Sequence, residues 1–235
     1  MKVEILYPEI CNLYGDLANI SYLKKCNNSI EVINTSLNEV PHFTYENIDL
    51  VYMATTTEKG QEIVIEKLLN YKDVIVKQIE NDKCFLFTGN AFEILGKKII
   101  DEKNDIDIDG LGIFNIISKR EMKNRYNGLY LGKYEEMEIV GFKSQFSFSF
   151  GDVPYWITTT KGCGLNEQIT NEGIKYHNFY GTNLLGPLLV INPDLCKYFL
   201  RKFGLNDKLS FEDEAYQNYN HRLKEYKEPH RGFTY

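Results

Sequence analysis

Residues 85–96 read Phe-Leu-Phe-Thr-Gly-Asn-Ala-Phe-Glu-Ile-Leu-Gly. The apolar run Phe85–Phe87 predicts a strand, the small residues after it a turn, and Ala91–Leu95 a helix. A strand that enters a helix through so tight a turn presents one side chain at the top of an α/β sheet, where an enzymatic nucleophile usually sits. Here the turn holds Gly89 and Asn90, neither of them a good nucleophile. The chain has the backbone pattern of a nucleophile elbow without the reactive atom.

Working outward from this elbow, Val3–Tyr7, Ile30–Ile33, Ile48–Ala54 and Cys84–Phe87 read as strands. Between them lie helical patterns. Asp16 is placed to cap a helix carrying Leu17, Ile20 and Leu23, and Thr55-Thr56-Thr57 offers cap hydroxyls ahead of Ile63, Val64 and Leu68. Strands that are apolar on both faces and alternate with helices indicate a parallel sheet covered on both sides. Ligands of such sheets bind at the carboxyl ends of the strands, where Met53–Thr57 and Thr88–Ala91 lie. The second half predicts shorter strands at Gly112–Ile117, Gly128–Leu131, Ile139–Phe142 and Ile174–Phe179, then a helix from Pro193 to about Phe203. We assign residues 1–205 to one α/β domain and 206–235 to a polar helical tail. Within that tail Ala215, Tyr219, Leu223 and Tyr226 share one helical face, and His230–Tyr235 reads as a frayed end.

Composition narrows the function classes. The chain has 235 residues, 43% of them hydrophobic, and a formal charge of −6 with acids and bases interspersed. There is no basic stripe to neutralise phosphates, so nucleic acid is not an expected partner. No stretch approaches the roughly 20 apolar residues that span a bilayer, and Met1–Leu6 carries Glu4 and reads as a first strand, not as a signal peptide. The expectation is a soluble, cytoplasmic protein. The five cysteines are scattered without a CxxC, and the four histidines lack metal-ligand spacing, so neither a metal nor a cofactor is expected.

Several segments, in order, resemble class I glutamine amidotransferases of the cobyric-acid-synthase (CobB/CobQ) type, and within them most nearly the GatD-type subunits of lipid II isoglutaminyl synthase. Leu6-Tyr7-Pro8-Glu9-Ile10-Cys11-Asn12-Leu13-Tyr14-Gly15-Asp16-Leu17-Ala18-Asn19 looks like the LYPxxxNxYGDxGN signature. Asp109–Phe114 resembles the GLGLLD segment, Gly141–Gln145 stands where the family has GFENH, Asn171–Tyr176 matches its EG-strand, and Gly181–Leu189 matches GTYLHGPLL. The resemblance implies a flavodoxin-like fold and glutamine hydrolysis by a cysteine in an ICGGYQ elbow and a histidine in YLHGP, the thiolate attacking the amide and the histidine protonating the leaving ammonia. In this chain Gly89 takes the cysteine position and Leu185 the histidine position. Glu93 replaces the elbow glutamine, Gln145 the GFENH histidine, and Lys143 and Ser144 replace an acidic and a polar residue, a change expected to alter the charge of the pocket.

The resemblance therefore implies a subunit whose catalytic positions are vacated, paired as a heterodimer with a Mur-ligase-like (MurT-type) partner in lipid II amidation. It leaves Arg125, Asn90, Gln145 and Glu93 as candidate substrate-binding residues, for glutamine or another small carboxylate. Two rivals stay open. One is an active glutaminase using unrecognised residues, for which Thr88, Cys84 and His177 are the nearest resources, although Cys84 should stand about 15 Å from the elbow at strand rise. The other is a small-molecule sensor that uses the emptied pocket.

Overall fold

The computed structural model describes residues 1–229, so the end expected to fray, His230–Tyr235, lies outside the described residues. In chain order the strands are β1 (Lys2–Leu6), β2 (Glu31–Thr35), β3 (Leu50–Met53), β4 (Cys84–Thr88), β5 (Lys98–Asp101), β6 (Ile106–Asp109), β7 (Ile116–Arg120), β8 (Tyr126–Tyr134), β9 (Met137–Gln145), β10 (Ser147–Gly151), β11 (Tyr155–Lys161), β12 (Asn171–Tyr176) and β13 (Phe179–Thr182). The helices are α1 (Ala18–Cys26), α2 (Glu58–Leu69), α3 (Lys72–Glu80), α4 (Leu188–Ile191), α5 (Pro193–Lys202) and α6 (Glu212–Lys227). Nine strands form the main sheet in the order β2-β1-β3-β4-β13-β12-β11-β8-β9, and β10-β7-β5-β6 form a smaller one. The pairs from β2 through β13 are parallel, and those from β13 to β9 are antiparallel.

The central strands are buried on both faces because each face meets a different layer. Phe85 and Phe87 point into a cluster with Val64, Leu68, Ile75 and Ile79 of α2 and α3, while Cys84 and Leu86 point into one with Ile20, Leu23, Leu195 and Phe199 of α1 and α5. This period-two division explains why β3 and β4 read as unbroken apolar runs. Thr57 caps α2 as expected, its hydroxyl accepting from the Gly60 N–H at 3.0 Å.

Several expectations are corrected. The helix expected over Ala91–Leu95 forms as a 3-10 helix that begins two residues earlier, at Gly89. Leu111, Ile113 and Phe114 donate backbone bonds to Ile94 and Leu95 carbonyls, so Gly112–Asn115 is a loop on the elbow and the strand starts at Ile116. Ile174–Phe179 is not one strand but the meeting of β12 and β13, with His177 at φ 51° in the turn between them. Asp16 does not cap α1: its carboxylate faces Thr55 and Thr88 instead. The expected helical face of the tail belongs to α6 and packs on the main sheet, where Tyr219, Leu223 and Tyr226 cover Leu131 and Val140 and the Tyr219 hydroxyl donates to the Glu138 carbonyl.

Lys143 is also turned away from the elbow. It is 1% exposed, and its Nζ donates to Glu172 Oε2 and to the Gly164 carbonyl, each at 2.5 Å. Glu172 Oε1 in turn accepts from Thr182 Oγ1 and the Asn183 N–H, both at 2.8 Å. The charge change expected from this lysine is thus neutralised inside the sheet. Breaking one member of such a pair strands the other without a partner. Lys143→Met will cost about 3–5 kcal/mol in a denaturant melt, and adding Glu172→Gln, which removes the stranded charge, will recover part of the loss. Unchanged stability in the single variant would show that the pair does not hold β9 to β12.

Candidate functional site

The elbow stands on a buried polar network. Asp16, in the loop before α1, accepts from Thr55 Oγ1 at 2.6 Å and from Thr88 Oγ1 at 2.9 Å, both on the same carboxylate oxygen. Tyr52 donates to the Asp16 carbonyl at 2.8 Å, and its hydroxyl oxygen lies 2.9 Å from that of Thr88. Asn19 donates to Tyr52 and to the Asp16 carbonyl, and its Oδ1 accepts from the Leu189 N–H. The carboxyl ends of β3 and β4 and the loop after β1 are therefore tied at one point. Burial pushes the Asp16 carboxyl up to about 6, outweighing the two hydroxyl donors that favour its anion.

Gly89 lies directly above this network at φ 61°, a backbone region that glycine enters at no steric cost. A Cβ added there would overlap the Thr55 hydroxyl and stand 2.7 Å from Thr55 Cβ and Cγ2. The space that a nucleophile's side chain needs is filled by threonine. Leu185, in the GTYLHGP-like segment, is 1% exposed and locked in an antiparallel bridge, its N–H donating to the Phe142 carbonyl at 2.9 Å and its carbonyl accepting in return.

A cavity of about 110 Å³ opens beside Gly89, with Leu185 on its far side. Among the described residues that line it there is neither cysteine nor histidine. The candidate binding residues divide. Arg125 stands at the lip, its guanidinium 4.3 Å from the centre of the Phe146 ring. Gln145 lines the cavity with its Nε2 fixed on the Ser147 carbonyl at 2.6 Å and its Oε1 buried without a partner. Asn90 lines it too, but its amide is spent on Thr56, accepting from that N–H at 3.1 Å and donating to that carbonyl at 2.9 Å. The Thr56 N–H, a donor that faces the elbow across the cleft, is thereby occupied. Glu93 does not line the cavity: it is fully buried, accepting from Ser147 Oγ at 2.6 Å and from Gln61 Nε2 at 3.0 Å, and desolvation raises its carboxyl above the usual range.

The other resources named for a rival chemistry are scattered. Thr88 is buried, with its hydroxyl committed to Asp16 and Tyr52. Cys84 begins β4, and burial pushes its thiol up to about 12, far from a reactive thiolate. His177 sits at the same distant end, against Asp82 at 3.0 Å and Glu80 at 3.6 Å. Thr55 and Asn183 are among the cavity residues that went unremarked as site residues in the sequence. Thr55 was read as a cap. Asn183, 2% exposed with both amide atoms unpartnered, lies within the GTYLHGP-like segment two places before Leu185, and that placement was the available signal.

An α/β sheet with a strand-to-turn elbow at its carboxyl edge and a small polar cavity above it defines an amidotransferase-type scaffold. Residues 2–191 match the CobB/CobQ-like glutamine amidotransferase domain, and the chain belongs to that family. It is 27% identical over 211 residues to the lipid II isoglutaminyl synthase (glutamine-hydrolyzing) subunit GatD of Staphylococcus aureus, covering 88% of this chain and 86% of that protein. It is 27% identical over 234 residues to the subunit of the same name in Streptococcus pneumoniae, covering 91% and 86%. In fold it is similar to a glutamine amidotransferase from Thermotoga maritima, with a TM-score of 0.53 at 14% identity over 97% of this chain and 92% of that one. A second solved glutamine amidotransferase gives 0.54 at 14% identity, covering 86% and 99%. No helix among the described residues is long and apolar enough to cross a membrane.

Two measurements test this geometry. Gly89→Ala forces a side chain into the left-handed region and against Thr55, and will cost about 1–3 kcal/mol. Thr55→Gly in the same chain will return part of that loss; if it returns none, the overlap with Thr55 is not the cause. The second concerns pH. Asp16 holds its proton more tightly when folded, at about 6, than an exposed aspartate does at about 3.9. Its contribution to stability is therefore full below the lower value and lost as pH rises through the higher one. Asp16→Asn keeps an acceptor for both threonines, and in melts between pH 4 and 7 it will flatten this decline. A decline as steep as that of the natural chain would place the titration elsewhere.

Proposed function

We propose that this chain is a GatD-like subunit that no longer hydrolyses glutamine and acts as the non-catalytic partner of a Mur-ligase-like enzyme in peptidoglycan amidation. Its relatives are subunits of a glutamine-hydrolysing lipid II isoglutaminyl synthase, and they match nearly the whole chain. The observation that carries the non-hydrolytic reading is Thr55 standing in the space above Gly89 that an attacking side chain would need. Thiol chemistry also needs an imidazole to take and return the proton, and Leu185 offers only a buried apolar side chain there. The ligase then draws on free ammonia or another amine, in the cytoplasm, with this chain bound as the second member of a heterodimer.

One observation favours a rival. The Thr55 hydroxyl donates to Asp16 at 2.6 Å, and a hydroxyl against a carboxylate base is a nucleophile in outline. It lacks an orienting third group, since Asp16 Oδ1 has no partner. The deciding experiment is ammonia release from glutamine, by the chain alone and with its Mur-ligase-like partner. The natural chain will release no more than a heat-killed control. A Thr55→Gly, Gly89→Cys, Leu185→His variant serves as the control for a rebuilt site. Release by the natural chain that disappears in Thr55→Val would establish the rival and end the non-catalytic reading.

A further inference from the structure

The layer of α1, α4 and α5 holds a feature that the elbow does not use. Cys26, the last residue of α1, and Cys196, in α5, are far apart in sequence and meet in the fold. The Cys196 thiol is hydrogen-bonded to the Cys26 sulfur. Cys196 is fully buried in the apolar cluster between this layer and the main sheet, and Cys26 packs against the same cluster while half-buried.

The segment that leads into α6 fixes the position of Cys26. Ser210 donates its N–H to Cys26 Sγ at 3.3 Å and its hydroxyl to the Lys25 carbonyl at 2.8 Å. The Ser210 carbonyl accepts from the Tyr22 hydroxyl, also at 2.8 Å. The Cys26 sulfur thus receives two donors, the Cys196 thiol and the Ser210 N–H. Donors to an ionised group favour its charged form, and here they pull the Cys26 thiol down to about 6 against the opposing effect of burial. Cys196 is pushed the other way, because its proton is held on the Cys26 sulfur and its surroundings are apolar. At neutral pH the pair carries a thiolate on its accessible member and a proton on its buried one. The remaining cysteines differ: burial pushes Cys11, Cys84 and Cys163 up, to about 12, about 12 and about 11.

An accessible thiolate beside a second thiol is the arrangement of a redox sensor, the second thiol resolving what forms on the first. We propose that Cys26 and Cys196 form a reversible disulfide on exposure to a peroxide. The Cys26 thiolate attacks one peroxide oxygen: an S–O bond forms, the O–O bond breaks, and the leaving hydroxide takes a proton to become water. Cys26 is then a sulfenic acid. The Cys196 sulfur attacks the Cys26 sulfur: an S–S bond forms, the S–O bond breaks, and the leaving hydroxide departs as water with the Cys196 proton. The two thiols lose two electrons in all, and the peroxide gains them. The bond joins α1 to α5 around α4, which Asn19 of α1 already holds through the Leu189 N–H. It also replaces the thiolate that accepts from Ser210 by a weaker acceptor, at the entry to α6. In a reducing compartment such a pair serves as a transient switch, not as a structural link.

Thiol counting and peptide mapping of the full chain, reduced and then exposed to hydrogen peroxide, test the proposal. Two of the five thiols will be lost together, and the mapped link will join the peptides that carry Cys26 and Cys196. Dithiothreitol will restore both. Cys196→Ala will stop at the sulfenic acid, captured on Cys26 by dimedone, and Cys26→Ser will lose no pair of thiols. A second readout needs no peroxide. Alkylation of Cys26 by iodoacetamide will rise with a midpoint of about pH 6 in the natural chain, against about 8.5 for a free cysteine. In Cys196→Ala that midpoint will move up by more than about one pH unit. Survival of all five thiols, a disulfide between another pair, or a natural-chain midpoint of about 8.5 overturns the inference. None of these outcomes bears on the ammonia assay.

Discussion

The structure depends on one carboxylate. Asp16 accepts the hydroxyls of Thr55 and Thr88 on a single oxygen, and its backbone carbonyl takes Tyr52 and Asn19. Through these bonds the ends of β3 and β4 and the loop after β1 hold a common level. That level is the carboxyl edge of the sheet, where an α/β fold places its ligand. The bonds reach further through Asn19, which accepts from the Leu189 N–H at the start of α4. A buried network of this kind gains from satisfying nearly every member and loses heavily if one is removed. It holds the elbow in shape whether or not the elbow carries a reactive atom.

The same network leaves little room at the elbow for an attacking side chain. A thiol at position 89 needs open space above the turn, and Thr55 now occupies it. An imidazole at position 185 needs a proton-transfer partner, and Leu185 instead packs and bridges to Phe142. Asn90 closes the Thr56 N–H, a donor that a developing oxyanion could have used. Each of these features is a gain in packing or in hydrogen bonding within the resting protein. Residues kept for chemistry often carry strain or unpaired groups, and here the strain at the elbow is relieved by glycine.

Much of the scaffold was legible in the sequence because its signals are local. Unbroken apolar runs identify β3 and β4, and Thr57 announces the start of α2. The strands of the smaller sheet were harder. β6 is exposed along its length, and β5 is four residues long with only alternate positions buried, so neither presents an apolar run. The hairpin at His177 was read as one strand because its turn uses histidine and asparagine in place of glycine. At the site, Gly89 and Leu185 are singled out by counting along the elbow and the GTYLHGP-like segment. What surrounds them is not. Thr55 lies 34 positions from Gly89 in the chain, and only the parallel pairing of β3 with β4 brings the two together.

The unpaired atoms mark where the packing around the elbow is least complete. A cavity released from all function tends to be closed by apolar side chains or to have its polar groups paired, because each buried orphan costs roughly 1–3 kcal/mol. Around Gly89 the space and the donors are taken up: Thr55 stands over the glycine, Asn90 holds the Thr56 N–H, and the Leu185 backbone bridges to that of Phe142. One step further in, Asn183 and Gln145 keep three polar atoms buried without a partner. The apolar alternative, a leucine at position 183, would remove two of them.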